Sequence, residues 1–81
     1  MIMKIDFIEF RKKRTLIFKI NQFVDSRAKD LDFTEVLAWQ MGMEDIRYPN
    51  SISMVEEEKR IDNLLRQIKD WKLWDEYRLS L

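Results

Sequence analysis

The chain has 81 residues, with 15 acidic and 15 basic side chains, one glycine, one proline, and neither cysteine nor histidine. This composition excludes a disulfide framework, thiolate or histidine chemistry, and a soft-metal site. The length suits one domain, residues 1–81, and the scarcity of loop-forming residues predicts helices joined by brief turns. A core this small has a thin margin of stability, which favours association with a partner or a second copy.

The apolar runs of the chain are all interrupted by charged residues. None approaches the roughly 20 residues that a membrane span needs, and the first residues, MIMKIDF, lack the apolar core of a signal peptide. We therefore expect a cytoplasmic protein without membrane contact. A viral or phage origin would suit so small and charged a chain, although no residue specifies it.

Three capping boxes mark helix starts. In this motif an Asp or Ser at the N-cap accepts a hydrogen bond from the amide three residues later, and a Glu at that position reaches back to the cap amide. The chain contains the pattern at Asp6 with Glu9, Asp32 with Glu35, and Ser53 with Glu56. Each box precedes a segment with apolar residues at helical spacing, so the boxes predict three helices.

The first helix is predicted to cover residues 7–29 and the second residues 33–41. Gly42, the single glycine, is expected to end the second helix in the left-handed conformation. On a helical wheel the first helix has a broad apolar face, and we expect the residues at the centre of this face to lie in the core. Phe7 and Phe18 lie beyond that face and are candidates for contact with a partner.

The third helix is predicted to begin after Ser53 and to continue to about Leu79. It follows a loop that Pro49 enforces, because proline cannot lie inside a helix. The fold class is therefore all-α, with two long helices packed antiparallel and a short helix bracing them. Alternating apolar residues within positions 1–7 also allow a short extended N-terminal arm.

The run RKKR at residues 11–14 points in four directions on a helix and cannot form one basic stripe. Arg11, Lys19 and Lys29 do share a face of the first helix, and they are the candidates for nucleic-acid binding. Net charge is +4 over residues 1–31, −6 over residues 32–58 and +2 over residues 59–81. This dipolar distribution favours a mixed-charge protein partner over a phosphate backbone.

The segment EVLAWQMGMEDI has the spacing of Ala38 and Gly42 that is known from helix-turn-helix DNA-binding proteins. The pattern stops where the recognition helix should begin, because Pro49 stands there and the next helix opens with three glutamates, residues 56–58. The family is therefore not assigned.

One carboxylate pair is a candidate for metal chemistry. Glu58 and Asp62 are four residues apart on one helical face and could share Mg²⁺, but such a pair at a charged helix start more often serves as solvated capping charge. We predict no catalytic residue, no metal and no cofactor.

The apolar residues of the third helix recur about every 3.3 residues, so their stripe drifts around a straight helix, whose period is about 3.6. In an unbroken helix the last of them face away from the core and form a predicted partner-binding cluster, which comprises Leu73, Trp74, Tyr77 and Leu81. The alternative is a bend after Trp71 that folds the cluster onto the first helix as core.

Together these features predict a non-catalytic protein-protein interaction module, such as an adaptor, an inhibitor or an assembly subunit. Its partner is expected to be another protein or a second copy of the chain. The alternative is a small nucleic-acid-binding regulator that uses the basic face of the first helix. The sequence specifies neither the partner nor the biological process.

Overall fold

The computed structural model describes residues 6–47 and 53–81, and every secondary-structure element in these ranges is a helix. The elements are α1 (Phe7–Arg27), α2 (Phe33–Arg47), α3 (Met54–Ile68) and α4 (Lys72–Leu79). The all-α prediction is confirmed. The count of three helices is wrong, because the predicted third helix is divided into α3 and α4. The predicted N-terminal arm and the turn at Pro49 lie outside the described residues.

The three predicted N-caps are present. In each, the amide three residues after the cap donates to the cap side chain, at 3.2 Å for Asp6, 3.1 Å for Asp32 and 3.3 Å for Ser53. These bonds satisfy amides that have no partner inside the helix, which is why α1, α2 and α3 begin where the local motif predicts.

α2 extends beyond the predicted end and continues through Gly42 to Arg47. The expected role of Gly42 as a helix terminator is wrong, because this glycine lies against α3. A Cβ atom at position 42 would be 2.7 Å from Cδ1 of Leu64, which is closer than packed carbon atoms approach. The missing side chain thus lets α2 and α3 approach each other closely.

The prediction of an unbroken third helix is also wrong. α3 ends at Ile68, Trp71 takes up an extended conformation (φ −97°, ψ 149°), and α4 begins at Lys72. On a straight helix Ile68 and Leu73 would lie about 140° apart, so one of them would leave the core. Because Trp71 is extended, α4 starts with a different rotation about its axis from the one that a continued α3 would have. Ile68 and Leu73 can therefore both face the core, and both are buried.

Glu35 holds the start of α4. Its carboxylate accepts hydrogen bonds from the backbone amides of Lys72, at 3.1 Å, and Leu73, at 2.9 Å. The N-cap residue of α4, Trp71, makes no side-chain capping bond of its own. A carboxylate from α2 therefore supplies the cap for α4, and its negative charge complements the helix dipole.

The helices run in alternating directions. α2 and α3 are antiparallel, since Gly42 faces Leu64 and Arg60 donates to the carbonyl of Asp45 at 2.9 Å. α1 and α2 form a hairpin, since the indole N–H of Trp39 donates to Asn21 Oδ1 at 3.2 Å across the turn. α1 and α3 consequently run in the same direction. Their expected antiparallel packing is wrong, because α2 is a full helix of 15 residues, as long as α3, that runs antiparallel to both instead of serving as a short brace.

The core draws side chains from all four helices. Its largest fully buried residue is Trp39, and Asn21 is a buried polar side chain that accepts the indole hydrogen bond. The buried apolar side chains are Phe10, Ile17, Ile20, Val24, Leu31, Val36, Trp39, Met43, Ile46, Ile61, Leu64, Ile68, Leu73 and Tyr77. Within the described ranges, no helix is long and apolar enough to cross a membrane.

Candidate protein-binding surfaces

A line of large apolar side chains is exposed on α2. Phe33 is 77% exposed, Leu37 46% and Met41 63%, and their spacing of four residues places them on one side of the helix. We call these three residues the α2 stripe. The other side of α2 faces the core with Val36, Trp39, Met43 and Ile46. α2 therefore has two apolar faces, of which the fold buries one.

The α2 stripe is followed by an acidic turn. Glu44 lies three residues after Met41, Asp45 lies four residues after it, and both are exposed. These spacings place the two carboxylates on the same side of the helix as the α2 stripe. At 1.5 Å per residue the three apolar side chains span about 12 Å of helix. The outer face of α2 is thus apolar for two turns and then negatively charged.

A second surface is a groove between α1 and the end of α4, which we call the α1/α4 groove. Its apolar lining consists of Ile8, Leu16, Tyr77 and Leu81. Its polar lining consists of Arg11, Lys12, Thr15 and Lys19. The groove therefore combines an apolar lining with three basic side chains, all of which come from α1.

The predicted C-terminal cluster is divided by the structure. Leu73 is 1% exposed and Tyr77 5%, and the Tyr77 ring packs edge-on against Phe23 with 5.5 Å between ring centroids. Their expected outward orientation is wrong, because the break before α4 turns both side chains into the core. Trp74 is half-buried beside Tyr77, whereas Leu81 is 85% exposed.

The two phenylalanines expected to face outward differ in their surroundings. Phe7 is exposed at the start of α1. Phe18 is half-buried, and the guanidinium of Arg14 lies over its ring at 5.1 Å from the centroid. Neither side chain lines the α1/α4 groove.

The structure brings together two of the three basic residues considered for nucleic-acid binding. Arg11 and Lys19 both line the α1/α4 groove. Lys29 does not line it, and lies in the turn after α1, which ends at Arg27 instead of residue 29. The basic face of the first helix is therefore shorter than the helical wheel predicts.

Lys13 and Arg14, from the same basic run, pair with the start of α3. The ammonium of Lys13 lies 2.9 Å from a carboxylate oxygen of Asp62 and 3.5 Å from one of Glu58, and Arg14 pairs with Glu57. The hydrogen bond with Asp62 is the main reason why the pKa of Lys13 is raised. Half of the basic run thus joins α1 to α3.

The carboxylate pair considered for Mg²⁺ has a different partner. Glu58 and Asp62 both contact the ammonium of Lys13, so this cation occupies the space between them. Within residues 6–47 and 53–81, no group of three or more His, Cys, Asp or Glu side chains is placed to hold a metal ion.

Comparisons of the chain with protein-family models, with curated proteins and with solved structures give no match.

The α2 stripe does not emerge from a second helix that ends at residue 41. A helical wheel extended to Arg47 separates the apolar residues of α2 into two opposite faces, which would have revealed the stripe. The groove could not be derived in this way, because it depends on the break between α3 and α4.

Proposed function

We propose that the chain is a non-catalytic protein-binding module and that the α2 stripe is its main contact surface. The observation that carries this proposal is the exposure of Phe33, Leu37 and Met41 in one line. α2 already contributes a full apolar face to the core, so folding does not need the second face. Contiguous apolar residues exposed on a small protein are typical of interaction sites.

The geometry of the stripe suits a partner that offers an apolar groove. Side chains at positions i, i+4 and i+8 of a helix are the anchors with which helices dock into grooves and pack against other helices. Large side chains such as Phe33 and Met41 bury much area in such contacts. The roles of adaptor, inhibitor and assembly subunit all need such a surface.

Site-specific photo-crosslinking tests this function. A photo-reactive phenylalanine analogue replaces Leu37 in one variant and Asn63, an exposed residue of α3, in the control. After illumination in cells that express the protein, we expect covalent protein adducts from position 37 and few from position 63. Equal adduct yields at the two positions, or none at position 37, would contradict the proposal.

The alternative function is nucleic-acid binding, which the joint presence of Arg11, Lys12 and Lys19 in one groove favours. Four apolar side chains line the same groove, and phosphate groups gain nothing from them. Retention on a polyanion column separates the two functions. Strong, salt-dependent retention that Arg11→Ser with Lys19→Ser abolishes would support nucleic-acid binding, whereas weak retention of the unaltered protein would oppose it.

A further inference from the structure

We infer that the α2 stripe of one copy docks into the α1/α4 groove of a second copy, so that the chains assemble head to tail. This inference rests on the proposed function, because it takes the α2 stripe to be a protein-binding surface and identifies its partner. The two surfaces have no residue in common, so one copy offers both a stripe and a groove.

The two surfaces complement each other chemically. The apolar side chains of the stripe match the apolar lining of the groove, and the acidic turn after the stripe matches the basic side chains beside that lining. Lys12 already lies 3.7 Å from Glu9, and Lys19 stands at one end of the part of α1 that lines the groove, so Lys19 is the basic residue we assign to Glu44 and Asp45 of the other copy. Complementary charge of this kind fixes the orientation and the choice of partner.

The dimensions of the two surfaces also agree. The part of α1 that lines the groove extends from Ile8 to Lys19, which corresponds to about 16 Å of helix. The stripe and its acidic turn extend from Phe33 to Asp45, about 18 Å. A helix of this length can lie along the groove with its apolar part and its acidic turn both engaged.

The charge distribution of the chain favours this pairing over contact between two stripes. α1 carries six basic and two acidic side chains, a net charge of +4, and α2 carries three acidic side chains and one basic, a net charge of −2. Lys13 and Arg14 of α1 already pair with α3 of the same copy, which leaves +2 for contact with another molecule. A head-to-tail contact brings the basic α1 of one copy to the acidic α2 of another. A contact between two α2 helices would place acidic segments side by side, which is unfavourable. A head-to-tail contact uses different patches on the two copies, so it closes into a ring or continues as a filament.

Two blocked variants test the inference. Leu37→Asp blocks the stripe and Lys19→Glu blocks the groove. The molar mass is measured by light scattering over a hundredfold concentration range. The unaltered chain should exceed the mass of a dimer, and each variant alone should keep the mass of a monomer. An equimolar mixture should form a 1:1 dimer and grow no further, because only one functional stripe meets one functional groove.

Matched controls separate this contact from general charge effects. Asn63→Asp adds a negative charge outside both surfaces, and Lys29→Glu makes the same charge change as Lys19→Glu but outside the groove. Both controls should assemble like the unaltered chain.

Combining Glu44→Lys with Lys19→Glu in one chain should restore assembly that each change alone weakens. Circular dichroism checks that every variant is folded, and Leu37→Gln replaces Leu37→Asp if the latter unfolds.

The contrary outcomes are distinct. If Lys19→Glu alone still dimerises while Leu37→Asp does not, two stripes pair and the inference fails. If the mixture stays monomeric, the inference also fails. If the unaltered chain is monomeric at every concentration but position 37 crosslinks to a different protein, the inference fails and the proposed function stands.

Discussion

Two polar side chains, Asn21 and Glu35, join helices that are distant in the chain. Asn21 is buried and accepts the hydrogen bond of the Trp39 indole, which ties α1 to α2. Glu35 accepts two backbone hydrogen bonds at the start of α4 and ties α2 to it. Asn21 lies in the core, so an arrangement of α1 and α2 without this bond would leave a buried polar group unpaired, whereas the half-buried Glu35 fixes α4 through a charged cap.

The first residue-scale prediction concerns Glu35. Glu35→Gln replaces one of the two accepting oxygens by an amide NH2 group, which cannot accept, and removes the negative charge from the remaining hydrogen bond, so it should lower the free energy of unfolding by about 1–2 kcal/mol. Hydrogen exchange should accelerate at the amides of α4. Glu9→Gln is the control, since Glu9 has the same place in a capping box and bonds to exposed Lys12. Equal losses in urea denaturation of the two variants would contradict the assignment.

The close contact at Gly42 gives a second prediction. Gly42→Ala gains about 1 kcal/mol of helix propensity but loses about 1–3 kcal/mol by overpacking against Leu64. In the Leu64→Ala background the clash is absent, so the same change should stabilise. Urea denaturation of the four proteins in this double-mutant cycle measures the coupling. An unchanged effect of Gly42→Ala in the two backgrounds would show that the helices do not meet there.

Lys13 provides a prediction about pH. Its pKa in the folded protein is raised above the ordinary value of 10.5, chiefly by the hydrogen bond with Asp62. Its contribution to stability is therefore complete below pH 10.5 and is lost as the pH rises through the folded-state pKa. The side chain is about one-third exposed, so the contribution is below about 1 kcal/mol.

The measurement is the urea midpoint between about pH 9 and pH 11.5. The unaltered chain should lose more stability over this interval than Lys13→Gln does. Lys59→Gln is the control, since the carboxylate partner of Lys59, Glu56, is more exposed than Glu58 and Asp62. Parallel pH profiles for the unaltered protein and Lys13→Gln would contradict the prediction.

At the scale of the elements, the starts of three helices could be predicted and the ends could not. The caps at Asp6, Asp32 and Ser53 act on amides within three residues, so the local sequence contains all the information. α2 continues through Gly42, which packs against Leu64 of α3, and the start of α4 is capped by Glu35, 37 residues away from Lys72. Contacts at such separations have no counterpart in helical spacing or in turn chemistry.

The same difference between local and distant determinants explains which of the predicted contact residues are exposed. The outward position of Phe7 follows from the helical wheel of α1 alone. The burial of Leu73 and Tyr77 follows from a break that contains neither glycine nor proline. The drift of the apolar spacing was the available indication of this break. The alternative with a bend near Trp71 matches the structure for Leu73 and Tyr77 but not for Leu81, which is exposed.

A pair of leucines tests the assignment of faces to α2 and α4. Leu73→Ala should lower the free energy of unfolding by about 2–5 kcal/mol, because it leaves a cavity in the core. Leu37→Ala should change it by less than about 0.5 kcal/mol, because the side chain is largely exposed and alanine favours helix. Urea denaturation measures both under conditions in which the chain is monomeric. A large loss for Leu37→Ala would place this residue in the core.

At the scale of the whole molecule, the arrangement of charge matters more than its sum. The chain is neutral, with an isoelectric point near 6.3, but α1 belongs to a basic region and α2 to an acidic one. Charges on a protein surface are screened beyond about 8 Å at physiological ionic strength, so they act mainly on partners already close by. The charge distribution therefore determines the orientation in which two molecules associate. The affinity of the contact comes mainly from the burial of apolar surface.

The attachment of α4 by Glu35 also has a consequence for the order of events in folding. A helix of eight residues is too short to form alone in water, so α4 should acquire its structure only after α2 is in place. Such late contacts govern the rate of unfolding more than the rate of folding. The α1/α4 groove would then appear last, whereas the α2 stripe exists earlier. In a head-to-tail assembly, a chain caught before this last step could bind to a growing end but could not accept the next copy, so incompletely folded chains would act as terminators.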